Sequence, residues 1–179
     1  MLKKILIGLA VIVVVFLIVV AFQPADYRVT RTATIAAPPD VVFAQVDDLR
    51  KWEAWSPWAK MDPAMKVTYA GPSAGVGAVS GWAGNSEVGE GRMTITESRP
   101  SELIRFHLEF IKPMAGTSAS EFTFKPEGNQ TLATWTMTGK NNFIGKAFCL
   151  FMNMDKMVGG QFEQGLARLK SVAETAAKK

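Results

Sequence analysis

The chain has 179 residues, of which 48% are apolar and 20% charged, so it has room for one globular domain of ordinary size. It contains one Cys and one His, which excludes a disulfide framework, a Cys-rich zinc site and a cluster of histidine metal ligands. The formal net charge of +4 falls to +2 once Lys3 and Lys4 at the N-terminus are set aside, and so small an excess is not typical of a nucleic-acid-binding protein.

The first predicted element is an apolar helix near the N-terminus. The range 5–22 has no charged or strongly polar side chain, and at about 1.5 Å per residue this helix is roughly 27 Å long, close to the thickness of the hydrocarbon core of a bilayer. We therefore expect an uncleaved signal anchor that crosses the membrane once. A cleavable signal peptide is the alternative, because two lysines precede the run and Val19 and Ala21 could satisfy the small-residue cleavage rule. The anchor is favoured because the run is longer than the roughly 7 to 15 residues usual in a signal peptide.

Basic residues before this helix predict its orientation. The positive-inside rule keeps Lys3 and Lys4 in the cytoplasm and sends the chain after Phe22 across the membrane. We therefore expect a single-pass membrane protein whose domain is extracytoplasmic, and periplasmic if the source is a bacterium. The predicted division is a transmembrane signal anchor over residues 1–23, a short connector over 24–26 and one domain over 27–177.

The domain is predicted to open with one strand and two short helices. Residues 27–35 alternate in polarity and are rich in Thr and β-branched residues, which favours a strand. A Pro-Pro-Asp sequence at 38–40 stops the strand and begins the first short helix. Three tryptophans follow at a spacing of three: Trp52, Trp55 and Trp58. Their rings are expected to pack in the core beneath the short helices, and the alternatives are the mouth of a ligand site or contact with the lipid interface.

The rest of the domain is predicted to be a meander followed by a long helix. Six alternating segments are separated by Gly, Pro and Asn, at about 65–70, 76–83, 89–98, 102–112, 117–125 and 131–140, which indicates antiparallel strands. The final stretch, about 143–177, places its apolar residues at helical spacing. These elements predict an α+β fold in which a curved antiparallel sheet of about seven strands wraps around the C-terminal helix.

With this order of elements, several motifs are similar to those of a known family. They are Trp-Ser-Pro-Trp at 55–58, Trp-Ala-Gly-Asn at 82–85, Gly-Glu-Gly-Arg-Met at 89–93 and Gly-Leu-Ala-Arg-Leu-Lys at 165–170. The chain resembles the SRPBCC superfamily, also called START-like or Bet v 1-like, and within it the polyketide cyclase/dehydrase branch, over about 27–174. The resemblance implies a helix-grip fold with a deep cavity between the sheet and the long helix. It does not select a reaction, because the superfamily includes lipid and hydrophobic-ligand carriers as well as cyclases.

Alternation along the predicted strands indicates which side chains line that cavity. In the segment 102–112, Phe106 shares one face with other apolar residues, while His107 lies on the opposite face. The same reasoning, with the helical spacing after 143, gives the cavity lining as Trp82, Met93, Ile95, Phe106, Leu108, Phe110, Phe122, Phe124, Trp135, Met137, Phe148, Phe151, Val158 and Phe162. Such a lining suits an apolar ligand and offers few groups for acid or base chemistry.

Three carboxylates are the candidates for a catalytic role. Asp155 falls in the apolar stripe of the final helix and would face the cavity, unless the sequence 153–155 is a helix break that Asp155 caps, which is the favoured interpretation. Glu87 and Glu90 lie in the predicted turn 84–91, where they would line an opening or simply be solvated.

The leading functional hypothesis is a membrane-anchored domain that binds a lipid or another hydrophobic small molecule. One alternative is an enzyme of the polyketide cyclase or dehydratase kind that uses Asp155, Glu90 or Glu87 as acid or base. The other is a non-catalytic module that holds a membrane protein partner. None of these hypotheses includes a cofactor, a metal or a nucleic acid.

Overall fold

The structure is a computed structural model, and it describes residues 1–178. Its elements in chain order are α1 (Leu2–Phe22), β1 (Asp26–Ile35), α2 (Pro39–Asp47), a 3-10 turn (Leu49–Lys51), α3 (Trp52–Trp55), α4 (Trp58–Met61), β2 (Lys66–Ala70), β3 (Val79–Ala83), β4 (Glu90–Arg99), β5 (Leu103–Lys112), β6 (Gly116–Glu127), β7 (Gln130–Lys140), α5 (Phe143–Cys149) and α6 (Met154–Ala176).

All seven strands form one antiparallel sheet in the order β1-β7-β6-β5-β4-β3-β2. Strands β2 to β7 are neighbours in sequence and in space, as the short alternating segments predict, whereas β1 joins the far side of the sheet by pairing with β7. The predicted α+β class, the curved sheet and the long C-terminal helix are confirmed.

Helix α6 covers the inner face of the sheet. One stripe of the helix is buried at helical spacing, and it consists of Phe162, Leu166, Leu169 and Ala173. The helix runs along β1, and the shorter helices α2 and α3 pack against it. This arrangement is the helix-grip fold.

The helical segment predicted over 143–177 is divided into two helices, in agreement with the favoured interpretation of 153–155 as a helix break. Helix α5 ends at Cys149, and α6 begins after Asn153. The Asn153 side chain accepts a hydrogen bond from the Lys156 N–H at 3.0 Å, and this capping bond compensates the free N–H group at the start of α6. Asn142 caps α5 in the same way through the Gly145 N–H, at 2.8 Å.

The tryptophan motif packs in the core beneath the short helices, as predicted. Trp52 and Trp55 are buried, and their indole N–H groups donate to the carbonyls of Val46 at 2.8 Å and Gln45 at 3.0 Å. Trp58 is half-buried on α4, a further short helix that begins just after Pro57.

Helix α1 is long and apolar enough to cross a membrane, with a mean hydropathy of 3.5 over an 18-residue window. A signal sequence near the N-terminus meets the same criterion of length and composition, so these properties are compatible with either role.

Candidate functional site

The groove between the sheet and α6 is filled at one end by aromatic rings. Trp135 on β7 stacks on Phe162 of α6, with ring centroids 3.9 Å apart. Trp52 and Trp55 lie 4.4 Å apart and meet Trp135 edge to face, both at 5.8 Å. Aromatic contacts of this kind leave no room for a ligand in this half of the groove.

The other end of the groove is only partly covered. One row of cross-strand partners on the inner face runs through Tyr27, Gly139, Ser118, Leu108 and Met93. The next row towards the strand ends contains Phe110, Gly91 and Trp82, and the rings of Trp82 and Phe110 meet edge to face at 6.0 Å. Apolar side chains at this end are half-buried, which marks it as the open end of the groove.

The predicted lining residues therefore divide into three groups. Six are almost completely buried in the core, namely Ile95, Phe106, Phe122, Phe124, Trp135 and Phe162. Six others, Trp82, Met93, Leu108, Phe110, Met137 and Val158, lie in or beside the open end, or pack half-buried on the same core. Their contact with a ligand stays a prediction.

Phe148 and Phe151 form the third group, and their predicted place in the lining is wrong. They are 40% and 78% exposed, and they lie on α5 and the turn that follows it. The physical reason is the break before α6, because it takes both side chains off the helical stripe that faces the sheet.

A pair of hydroxyl groups lies at the open end. The Tyr27 ring crosses β7 at Gly139, where a Cβ atom would meet the phenol oxygen, and reaches β6. The hydroxyls of Tyr27 and Ser118 share a hydrogen bond of 2.7 Å. A few polar groups in an apolar site fix the orientation of a ligand, and this pair is placed to do so.

Sequence reasoning missed both residues of this hydroxyl pair. The signal that could have found them is the alternation itself, since Tyr27 shares a face with Val29 and Ser118 shares one with Phe122.

An open cleft of about 880 Å³ reaches this hydroxyl pair. It lies at the end of the sheet beside the turn between β5 and β6, and Tyr27, Ser118, Gly139 and Asn142 are among its lining residues. A second cleft, of about 360 Å³, lies on the outer face, where charged side chains such as Arg105 line it. The first cleft also extends around the strand ends onto the outer face, because Arg28 and His107 line it too.

Asp155 lies on the surface, in the first turn of α6, and forms a bidentate ion pair with Arg31 of β1. Arg31 Nη1 and Nη2 donate to the two carboxylate oxygens of Asp155 at 2.9 and 3.0 Å, and Arg31 Nε donates to Glu163 at 2.6 Å. These bonds hold the pKa of Asp155 below its usual value, so the group is ionised at neutral pH. Asp155 therefore does not face the groove, and the favoured interpretation is right about the helix break at 153–155 but wrong about the cap, which is Asn153.

The other two candidate carboxylates lie around the turn between β3 and β4. Glu90 forms an ion pair with Lys112 at 2.7 Å. Glu87 is exposed at the tip of the turn, where its backbone N–H donates to the Asn85 side chain. Neither position brings a carboxylate to the Tyr27 hydroxyl, so a catalytic role for them stays a prediction without geometric support.

His107 lies on the outer face of β5, as the alternation predicts. Its Nε2 atom is 3.5 Å from Glu109, which is itself paired with Arg92. Within residues 1–178, the His, Cys, Asp and Glu side chains form no group of three that could hold a metal ion.

The sequence matches a family model described as polyketide cyclase / dehydrase and lipid transport, over residues 26–174. Among solved structures, TTHA0849 from Thermus thermophilus is 20% identical, with a TM-score of 0.61 over 84% of this chain and 99% of that chain. The Aha1 dimer from Colwellia psychrerythraea is 14% identical, with a TM-score of 0.60 over 83% of this chain and 96% of that chain. At such identities the likeness shows the fold alone. No match was found among curated proteins.

A third solved structure is larger than this chain. It is the di-domain ARO/CYC StfQ from the steffimycin biosynthetic pathway, 12% identical, with a TM-score of 0.63 over 87% of this chain and 53% of that chain. The coverage of about half is consistent with a match to one of its two domains.

Proposed function

Because this chain belongs to the polyketide cyclase / dehydrase and lipid transport family, we propose that it is a membrane-anchored domain that binds a lipid or a similar hydrophobic small molecule. The ligand binds at the open end of the groove between the sheet and α6. The observation that carries this proposal is the combination there of half-buried apolar side chains with the hydroxyl pair of Tyr27 and Ser118.

The open end suits a ligand with an apolar body and a polar head. Leu108 and Phe110 on β5, together with Trp82 on β3, offer an apolar wall. The hydroxyls of Tyr27 and Ser118 can donate to or accept from a carboxylate, ester or hydroxyl of the ligand. Since the aromatic core closes the other half of the groove, the ligand occupies the open end.

The membrane part of the proposal rests on α1. Its apolar length matches a bilayer, and Lys3 and Lys4 before it would keep the N-terminus in the cytoplasm. The anchor then comprises residues 1–23, the connector 24–26, and the binding domain 27–177 lies on the extracytoplasmic side.

The cyclase or dehydratase alternative is not proposed. Its three candidate carboxylates are held or solvated elsewhere, since Asp155 is paired with Arg31 on the surface, Glu90 is paired with Lys112, and Glu87 is exposed at the tip of a turn.

Native mass spectrometry of the full chain, extracted from the host membrane in detergent, tests the proposal. We expect an apolar species at near-stoichiometric occupancy, which solvent extraction would identify by class. Leu108→Trp should fill the open end and displace this species. His107→Trp is the matched control, because the neighbouring residue on the same strand faces outward and should leave occupancy unchanged.

Two results would count against ligand binding. One is a protein that carries nothing and also fails to take up a fluorescent fatty acid. The other is equal occupancy in Leu108→Trp and His107→Trp when circular dichroism shows both variants folded.

A further inference from the structure

We propose that α5 and the turn after it form a second membrane contact, which inserts apolar side chains into the leaflet beside the C-terminal end of α1. The inference rests on the proposed membrane anchor and deepens it. We define the apolar patch as Phe143, Ile144, Phe148, Phe151 and Met152.

The apolar patch is exposed to an extent that is unusual for a surface in water. Its five side chains are between 40% and 78% exposed, although each is large and apolar. Between Asn141 and Met154, Lys146 is the one charged residue. A continuous segment of this composition favours contact with lipid over contact with water.

The contact between the apolar patch and α1 indicates how deep the patch lies in the membrane. The rings of Phe151 and Phe16 stack with centroids 6.3 Å apart, and α5 packs along α1. Phe16 lies six residues before Phe22, the last residue of α1, which corresponds to about 9 Å along the helix axis. If α1 spans the bilayer, Phe151 therefore lies about 9 Å inside the end of the span, within the depth of roughly 5 to 10 Å at which interfacial helices bind.

Short connections hold the patch at this depth. Only Gln23, Pro24 and Ala25 separate α1 from β1, and the Ala25 carbonyl accepts a hydrogen bond from the Asn141 N–H at 2.8 Å. The Lys146 amine donates to the Ala21 carbonyl at 3.2 Å, near the end of α1. This places the single charge of the segment at the level of the lipid headgroups, as expected for a lysine whose stem lies in the apolar layer.

The same geometry turns the open end of the groove towards the membrane. Strand β7 leads from Gly139, beside the hydroxyl pair, through Asn142 directly into α5. A lipid taken up by the domain would then enter from the bilayer without crossing water. The partner of the apolar patch is thus the acyl layer itself.

Spin-label accessibility in the full chain tests this inference. The chain is reconstituted in vesicles of phosphatidylethanolamine and phosphatidylglycerol, with Cys149→Ser as the background and one nitroxide label at Phe151→Cys. Ile12→Cys in α1 reports the span, and Gln164→Cys, exposed on α6, is the aqueous control. Collision with oxygen, which concentrates in lipid, is compared with collision with a water-soluble nickel complex.

We expect the oxygen-to-nickel ratio at position 151 to approach that at position 12 and to exceed that at position 164 several-fold. A label at Ile144→Cys should agree, which guards against a local effect of one substitution. A lipid-like ratio at position 12 with an aqueous ratio at 151 and 144 would overturn the second contact while leaving the anchor intact. Shielding of 151 from both reagents would also overturn it, because a protein surface would then cover the patch. Aqueous ratios at all positions would refute the anchor and the contact together.

Discussion

The ring of Trp135 on β7 lies parallel to the ring of Phe162 on α6, with centroids 3.9 Å apart and an angle of 5° between the planes. Both residues are almost completely buried. This stack joins the sheet to the long helix in the filled half of the groove, so it determines how much of the groove remains for a ligand.

Phe162→Ala should remove this contact and leave a cavity. We expect a loss of about 3–5 kcal/mol in the free energy of unfolding, the usual cost of truncating a buried aromatic side chain. Urea unfolding in detergent, followed by tryptophan fluorescence, measures it. Gln164→Ala, exposed on the same helix, should change the free energy by no more than about 0.5 kcal/mol. Equal effects of the two substitutions would contradict the assigned role of the stack.

Gly165→Ala should destabilise the domain because α6 approaches the sheet closely at this residue. A Cβ atom there would lie 2.9 Å from Trp135 Cζ3 and 3.2 Å from Pro57 Cδ, both parts of rigid rings. We expect a loss of about 1–3 kcal/mol from overpacking. Gly160→Ala is the matched control, since nothing lies within 4 Å of its Cβ, and it should gain about 0.5–1 kcal/mol from helix propensity. A gain in both variants would show that the helix does not approach the sheet as described.

The bidentate ion pair between Arg31 and Asp155 should make the stability of the domain depend on pH in the acid range. The pKa of Asp155 in the folded chain is lowered from its ordinary value of 3.8, chiefly by the hydrogen bonds from Arg31. A carboxyl whose pKa is lower when folded contributes stability above its unfolded pKa and loses that contribution as the pH falls through the folded pKa. The melting temperature of Asp155→Asn should therefore lie below that of the unmodified chain at about pH 6, and the difference should shrink as the pH falls below 3.8. A difference that stays constant over this interval would exclude the titration of Asp155 as its cause.

Tyr27→Phe should weaken the binding of a ligand with a polar head but not of a purely apolar one. Removal of a single hydrogen bond to a ligand costs about 0.5–1.5 kcal/mol, which corresponds to a loss of affinity of about 2- to 12-fold. Titration with a fluorescent fatty acid and with an uncharged apolar probe separates the two cases. The control is Tyr69→Phe, because Tyr69 lies under the Arg50 guanidinium on the edge strand β2, at the opposite edge of the sheet from Tyr27 on β1. If Tyr27→Phe and Tyr69→Phe bind both probes alike, the hydroxyl pair does not orient the ligand.

The sequence by itself determined the elements and the faces of the sheet. A period of two placed Leu108 inward and His107 outward, and the apolar length of 5–22 identified a helix able to span a bilayer, because these properties depend on neighbouring residues alone. The motifs also indicated the helix-grip fold, and the match to the family model supports that resemblance.

Tertiary structure alone decided how the groove is filled. The hydroxyls of Tyr27 and Ser118 meet although 91 positions separate the residues, and Arg31 meets Asp155 across 124 positions. Such contacts depend on strand order, register and the break before α6, and local periodicity does not encode any of these. For the same reason, alternation in the sequence identifies the apolar side chains that face inward. It does not distinguish those that fill the core, such as Phe122, from those at the open end, such as Leu108.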